Sequence, residues 1–564
     1  MKYCFIAFIL FFQVQTAFSQ NTVPPIQWLN DVQTNLGSQD ESGIEVYDIA
    51  VTDDGALYAA MRCYSDCTFS NGQTVTPPPN GESLVLVKYD LQGNIDWLKE
   101  LGFVGILFSG ARVITTNAGG VFIAGSFSVP SINFGNGISV SRTCSNDCDE
   151  IFLARYSASG QAEWARSITG NQNSYFSLIG LETDQSGRLY LAGNYTGSVL
   201  NLGPNLIYNN LPGSSFFWAN FDGSTGAPQI ARFANADSGP AELIHLDVNN
   251  SGQAVLVGTF TDSLKFASGV RVETFNAFQH YFVAGLNPSG GVTWARVLSS
   301  SEYAYVEGID MDEQGRAYLA VDASEDLKLD NGTILTISTT YAGSVLQLSA
   351  TGFAIPVFIE FNLEDYAVSD VALDKEGNIY TSGYISEVIN VAGEDVNFDG
   401  CFDGLLTATS SNGLHLWART VGGSGCEAIV NAYSASTMAL DADGFLYTAG
   451  LFVVGFSEDG FNRPGDGAFV AKFNSNTVNT EEPYTFGTLP ISPNPNNGTF
   501  NLNLLSEPAA NAWLRIHDLS GREVFNQEIT SLQTEINTTL SAGAYFVSLQ
   551  NGANLFRQKM IVSH

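Results

Sequence analysis

The residues best spaced for chemistry lie between positions 395 and 403. Asp395, Asn397, Asp399 and Asp403 fit the pattern D-x-N-x-D-G-x-x-D. Alternate oxygen donors around a turn at Gly400 can wrap a hard cation, so Ca²⁺ is the one cofactor these residues suggest. An EF-hand would place Glu at its twelfth position, where this chain has Leu406. The alternative is an ordinary acidic loop, because Asp403 aligns with Asp149 at the start of an equivalent strand.

Cysteine is the second reactive set. Cys63/Cys67 and Cys144/Cys148 are C-x3-C pairs, and Cys401 and Cys426 lie one strand pair apart. No His stands near them to complete a zinc site. Residues 1–19, MKYCFIAFILFFQVQTAFS, read as a secretory signal peptide. Lys2 is its positive start, Phe5 to Phe12 its apolar stretch, and Ala17-Phe18-Ser19 a small-x-small cleavage site. Export to an oxidising compartment favours disulfides among the six cysteines, although six allow fifteen pairings. The apolar stretch is too short to cross a bilayer and no later run is longer, so no transmembrane segment is expected.

Other catalytic signals are sparse. His245, His280, His415, His517 and His564 stand in no triad or zinc spacing. Ser424 in GGSGC lacks the G-x-S-x-G spacing of a nucleophile elbow. The 57 Asp and Glu leave one route open, a pair of carboxylates converging in a central channel as glycosidases need. The net charge of −34, with only 23 Lys and Arg, excludes nucleic acid as a partner and repels anionic polymers. It suits solubility outside the cell.

A repeat must position all of these residues. IAVTDDGALYAAM, VITTNAGGVFIAG, LETDQSGRLYLAG, LDVNNSGQAVLVG, IDMDEQGRAYLAV, VALDKEGNIYTSG and MALDADGFLYTAG align without gaps. Their reference glycines, Gly55, Gly119, Gly187, Gly252, Gly315, Gly377 and Gly444, recur every 62 to 68 residues. Three residues earlier stands Thr52, Thr116, Asp184, Asn249, Asp312, Asp374 or Asp441. Such side chains cap a type I turn, and Gly accepts the positive φ that closes the hairpin. Three residues later stands Tyr58, Phe122, Tyr190, Val255, Tyr318, Tyr380 or Tyr447, a column suited to packing between sheets.

Two more strands follow in most copies. The fourth is marked by Trp97, Trp164, Ile230, Trp294 or Trp417, with a nearby Lys or Arg that suits an outer edge, where charge blocks pairing. Four antiparallel strands per copy predict the blade of a β-propeller. The seventh copy lacks its fourth strand, and Ile26-Gln27-Trp28-Leu29-Asn30 can supply it from the other end. A closed seven-bladed, all-β propeller is therefore expected over 20–475. Its second-to-third and blade-to-blade links are long and must emerge on one face, where binding sites usually live. All six cysteines fall in or beside those links.

The stretch WARTVGGSGCEAIVNAYSASTMALDADGFLYTAG resembles the bacterial seven-bladed β-propeller repeat (SBBP), with its Trp strand, Gly-Gly loop and Tyr hairpin. The resemblance covers residues 22–475 and implies a fold and an extracellular setting, but no shared activity. The 395–403 loop is similar to the calcium hairpin loops of integrin-type propellers.

After a polar linker at 476–488, residues 489–564 read as six or seven short alternating strands, which suits a small Ig-like β-sandwich. This tail resembles the type A C-terminal sorting domain of type IX secretion. The resemblance rests on Pro493-Asn494-Pro495 with Gly498, on Gly521 in IHDLSGR, on Gly543 in LSAGAY, and on the KMIV end that starts at Lys559. It implies export across the outer membrane of a Bacteroidota-type cell, with the secretion machinery as partner. The expected function is a non-enzymatic binding or adhesion module for glycan or protein on the long-loop face. The alternatives are a glycan-active hydrolase or lyase with a central-channel carboxylate site, and a passive structural component of the envelope.

Overall fold

Every reference glycine closes its turn. In the computed structural model the Gly55 amide donates to the Thr52 carbonyl at 2.8 Å, and Gly55 sits at φ +90°. Asp184, Asp312, Asp374 and Asp441 use one carboxylate oxygen to accept the N–H groups of the turn. These side chains are therefore committed to holding hairpins. The structure describes residues 24–563 except for segments of which the longest are 35–42, 429–437, 475–486 and 504–511. The expected signal peptide lies outside the described residues.

The chain divides into two units, Met1–Val478 and Asn479–His564. In the first, seven antiparallel sheets follow one another along the sequence. Sheet one runs Ile44–Val51, Leu57–Cys63, Ser83–Tyr89 and Ile95–Phe103, in that spatial order. Sheets two to six repeat this order and begin at Ala111–Thr115, Tyr175–Thr183, Ala241–Val248, Ala304–Met311 and Tyr366–Leu373. Sheet seven starts with two short pieces, Cys426–Ala428 and Met438–Leu440, both paired to Leu446–Val453. Its third strand is Gly467–Phe473, and its fourth is Ile26–Thr34, in the register Leu29↔Ala471 and Val32↔Ala468.

Apolar side chains on both faces of every sheet form the core, as sandwiching between neighbouring sheets requires. The Trp column seals these seams. Trp97, Trp164 and Trp294 donate Nε1–H to carbonyls of the next sheet's tight turn, those of Ala158, Gly223 and Ala350, at 3.0, 3.2 and 2.8 Å. Sheet three carries Ile230 at this position, and Trp218 of its third strand makes the same bond to Gly290 at 2.9 Å.

Two expectations need correction. The basic residue on the fourth strand does more than guard an edge, although among the described residues the fourth strands of sheets one, two and six, which carry Lys99, Arg166 and Arg419, do remain edges. Arg166 and Arg296 reach across to the carbonyls of Thr225 and Thr351 in the next sheet's turn. The outer strands of sheets three, four and seven are themselves paired, with Leu264–Phe266, Lys328–Leu329 and Cys67–Phe69. Those segments belong to the second correction, because the long second-to-third links are not irregular. Each folds into its own two-stranded hairpin, from Cys67–Phe69 with Thr74–Val75 in sheet one to Phe456–Glu458 with Phe461–Arg463 in sheet seven. Buried side chains such as Ile132, Phe134, Leu200, Leu264 and Phe266 hold them down.

The second unit has two sheets. One orders Gly487–Thr488, Asn554–Val562, Gly543–Asn551, Trp513–His517 and Glu523–Glu528; the other orders Ile491–Ser492, Thr499–Asn503 and Gln533–Asn537. Phe500, Leu514, Ile536, Val547 and Met560 are buried together.

Candidate functional site

The first strands of all seven sheets line one cavity of about 290 Å³. It is acidic. Sheet one contributes Asp48, sheet two Arg112, sheet three Glu182, sheet four His245 and Asp247, sheet five Asp310 and sheet six Asp370. Sequence reasoning left the carboxylates of this channel unassigned. A usable signal was present in the alignment, because each of these residues stands five or seven positions before a reference glycine.

Most of these groups tie one sheet to the next. Asp48 accepts the N–H of Ile49 at 3.0 Å and of Val113, in sheet two, at 2.9 Å. Asp310 accepts those of Met311 and of Leu373, in sheet six, both at 2.6 Å. Asp370 accepts Val371 N–H at 2.9 Å and Met438 N–H, in sheet seven, at 3.3 Å. Arg112 donates to the Ile179 carbonyl of sheet three, and His245 Nε2–H to the Val306 carbonyl of sheet five. Between sheets three and four the tie is Asn194, which exchanges two bonds with the Leu243 backbone.

Burial dominates the electrostatics. It pushes Asp48 up to about 7, against the pull of Arg112 and the two N–H donors. It pushes Asp247 up to about 6, against the N–H groups of Val248 and Met311 and a hydrogen bond with Asp310. Asp310 and Glu182 are raised well above the usual carboxylate range, first by burial and then by Asp247 beside each of them. Burial also lowers His245 to about 4, so its imidazole is neutral at neutral pH.

A first strand with a bulge is the local cause of this geometry. The register slips at Val46/Asp48, Leu178/Gly180, Leu243/His245, Val306/Gly308 and Val368/Asp370. One extra residue re-aims the chain at each slip.

The hairpin-bearing side is the other candidate. Tyr64, Tyr175 and Tyr305, at strand ends on that side, are 44, 46 and 46% exposed. An open groove of about 480 Å³ runs between the hairpins Ser131–Ser141 and Val199–Asn209, lined by Ser139, Ser141, Thr143, Arg166, Thr169 and Asn201.

The residues singled out in the sequence are placed as follows. Cys63–Cys67 and Cys144–Cys148 are disulfide-bonded, each across the start or end of a hairpin link. Cys401 lies outside the described residues, and Cys426 begins the short strand Cys426–Ala428. Asn397 and Asp399 also lie outside them, Asp395 falls in Glu394–Val396, and Asp403 is buried at the start of Asp403–Thr409. By register Asp403 faces Ile385 as Glu150 faces Phe127, so its counterpart is Glu150 rather than Asp149. Glu150 accepts hydrogen bonds from Thr143 and Cys144, a loop-holding role. In the tail, Pro493, Asn494 and Gly521 lie outside the described residues. Gly498 occupies φ +98° in a turn whose Asn496 side chain accepts its N–H at 2.8 Å. Gly543 pairs with Val562 and Lys559 with Phe546, both toward the open end of the hairpin Gly543–Asn551 with Asn554–Val562. No helix among the described residues is long and apolar enough to cross a membrane.

Comparison with known proteins assigns the tail. Residues 490–563 match the model of the secretion system C-terminal sorting domain. The match marks a chain exported by type IX secretion to the cell surface or beyond, and so one that meets that machinery. No curated protein matches the chain. Among solved structures it is similar to PorZ, a bacterial surface component of the type IX secretion system of Porphyromonas gingivalis. The identity is 13%, the alignment covers 93% of this chain and 82% of that one, and the TM-score is 0.21. It is also similar to a protein of unknown function from Dyadobacter fermentans, at 8% identity, 79% and 98% coverage and a TM-score of 0.32.

Proposed function

We propose that the seven sheets close into a seven-bladed β-propeller, and that this exported protein is a non-enzymatic binding module whose hairpin-bearing side holds a glycan or a protein. The observation that carries the binding role is the asymmetry of the links. On one side of every sheet they are tight Gly turns; on the other, each second-to-third link is a hairpin. Elaborated links on a rigid scaffold are where recognition is usually built. Closure is supported by the pairing of Ile26–Thr34 with Gly467–Phe473 and by the likeness of the repeat to seven-bladed propellers.

The channel carboxylates support a scaffold role over hydrolysis. Asp48, Asp310 and Asp370 each spend both oxygens on main-chain donors. A calcium ion held by Asp395, Asn397, Asp399 and Asp403 would stiffen the sheet-six hairpin on the same side.

The test is a binding screen of the mature full-length chain against extracellular glycans and cell-surface proteins, repeated with chelator. A ligand whose binding falls when Tyr64, Tyr175 or Tyr305 is changed to Ala supports the reading. Turnover of a glycan lost on Asp247→Asn would replace it with the hydrolase reading.

A further inference from the structure

Sheets two and three share a hairpin design but differ at one side chain. In sheet three the Tyr208 hydroxyl donates to the Ala231 carbonyl of the outer strand at 3.0 Å, and its ring packs 5.6 Å from Phe233. Ala165 is the sheet-two counterpart of Ala231, since Ala165 stands opposite Ala154 as Ala231 stands opposite Ala219. The hairpin registers Ile132↔Val140 and Leu200↔Tyr208 put Val140 where sheet three has Tyr208. Valine has no hydroxyl to give. Among the described residues the Ala165 side-chain partner is Arg166 alone, whose Nη1–H reaches that carbonyl at 3.4 Å. Val140 and Ala165 both line the groove of about 480 Å³ between the two hairpins.

That groove is rich in donors and its lining holds no acid. Arg166 is its one charged residue, in a chain with 57 Asp and Glu. Among the described residues Arg166 has no ion pair. Its guanidinium bonds the Ala165 and Thr225 carbonyls and keeps N–H donors to spare. Asn201 spends its Oδ1 on the Gly203 N–H at 3.0 Å, which leaves the amide nitrogen to donate. The main chains of Asn201 and Thr169 exchange bonds of 2.8 and 2.9 Å. Thr169 is only 5% exposed, yet its hydroxyl makes no hydrogen bond among the described residues. Thr143 gives its hydroxyl proton to buried Glu150 at 2.6 Å and so offers lone pairs. Ile207, 50% exposed, supplies an apolar wall.

We propose that this groove is a saccharide subsite that takes a hexuronate residue. The proposal deepens the binding-module reading, and rests on it, by naming the class of ligand. A sugar hydroxyl can donate to the Ala165 carbonyl as Tyr208 does to Ala231. A sugar carboxylate accepts from Arg166 and Asn201, and such charge-assisted bonds are about twice as strong as neutral ones. The C–H face of the ring suits Ile207. The volume lies within the range of about 300–1,000 Å³ usual for small-ligand sites. The charge of −34 repels long anionic polymers, so the fit is to a single uronate in a short or otherwise neutral glycan. A bare inorganic anion would leave the Ala165 carbonyl without a donor.

The experiment titrates the mature full-length chain with a disaccharide ending in glucuronate, with the same disaccharide ending in glucose, and with a short peptide bearing a free C-terminal carboxylate. The expected result is that the glucuronate binds about tenfold more tightly than either of the others. Asn201→Asp keeps the oxygen that holds the Gly203 turn, and its negative charge should abolish glucuronate binding. Val140→Tyr should fill the groove as sheet three is filled, with the same result. Thr169→Val keeps the side chain's shape and should weaken binding about fivefold. An unchanged thermal transition confirms that each variant is folded. Equal binding of the two disaccharides, or glucuronate binding untouched by Asn201→Asp and Val140→Tyr, overturns the subsite. Tightest binding of the peptide overturns the sugar assignment in favour of a polypeptide terminus. After either failure, a screened ligand still lost on Tyr64→Ala or Tyr175→Ala leaves the binding-module reading standing. Cleavage of the bound glucuronate disaccharide supports the subsite and removes the non-enzymatic part of that reading.

Discussion

The Tyr447 hydroxyl lies 3.1 Å from the carbonyl oxygen of Gly55, a residue 392 positions away in the sequence. The bond has the same form as that between Tyr58 and Gly119, at 2.6 Å, and that between Tyr190 and Gly252, at 3.5 Å. In each case the ring of one sheet caps the turn of the next. The same kind of bond thus joins sheet seven to sheet one, as the proposed closure requires.

Tyr447→Phe tests this seam. The ring is fully buried, and its hydroxyl also reaches Asp441 Oδ2 at 2.9 Å. Removing the hydroxyl leaves the Gly55 carbonyl short of a donor, while Lys472 still pairs with Asp441 at 3.4 Å. The expected loss is about 1–3 kcal/mol in urea unfolding. A loss no larger than that of Tyr208→Phe, a half-buried hydroxyl bonded within its own sheet's neighbourhood, would mean that the seam carries no special weight.

Trp28→Ala should cost more. Its ring packs 6.2 Å from Tyr89 and 6.0 Å from Tyr447, and it lies over Gly93 in the sheet-one turn. A buried Trp truncated to Ala loses about 3–5 kcal/mol through lost contacts and a cavity. The accompanying prediction is that the amides of Gly467–Phe473, whose outer partner is Ile26–Thr34, gain hydrogen exchange before those of Leu57–Cys63 do. Uniform exchange gain across all sheets would argue against a local role for the N-terminal strand.

Much of this architecture could be read in the chain. Gly55 and its six counterparts placed the hairpins, and the Trp column with Ile26–Asn30 placed the outer strands, because both rest on local rules of turn geometry and apolar packing. The channel was harder. Asp48, Asp310 and Asp370 are three acids among 57, and their function depends on which main-chain donor the neighbouring sheet presents. The link hairpins escaped because segments such as Cys67–Phe69 are too short for periodicity to register.

The Cys63–Cys67 disulfide should matter beyond its own loop. It joins the end of Leu57–Cys63 to Cys67–Phe69, which pairs with the last residues of Ile26–Thr34. Chain-entropy arguments give about 2 kcal/mol for closing so short a loop. Replacing both cysteines with Ser should lower stability by that order and raise exchange at Phe69 and Thr34. Protection at Thr34 equal to that of the parent would show that the clip does not support the N-terminal strand.

The channel predicts an unusual pH dependence. Asp48 titrates near 7 in the folded chain against an ordinary value of 3.8, and Asp247 near 6. Folding favours their protonated forms, so this contribution is complete below about pH 4 and is lost as pH rises toward 7. His245, lowered to about 4, acts in the opposite sense, and its contribution is lost as pH falls from 6.5 to 4. Asp48→Asn removes the larger carboxylate effect. The gap between 3.8 and about 7 corresponds to about 4 kcal/mol, an upper bound on the gain at pH 8. Against it stands one main-chain donor, from Ile49 or Val113, that the amide cannot accept, at a cost of about 1–3 kcal/mol. The variant should therefore be less stable than the parent at pH 4 and more stable at pH 8, and the two urea midpoints should cross between those values. Parallel midpoint curves would mean that Asp48 is ionised throughout and that its two N–H donors outweigh its burial.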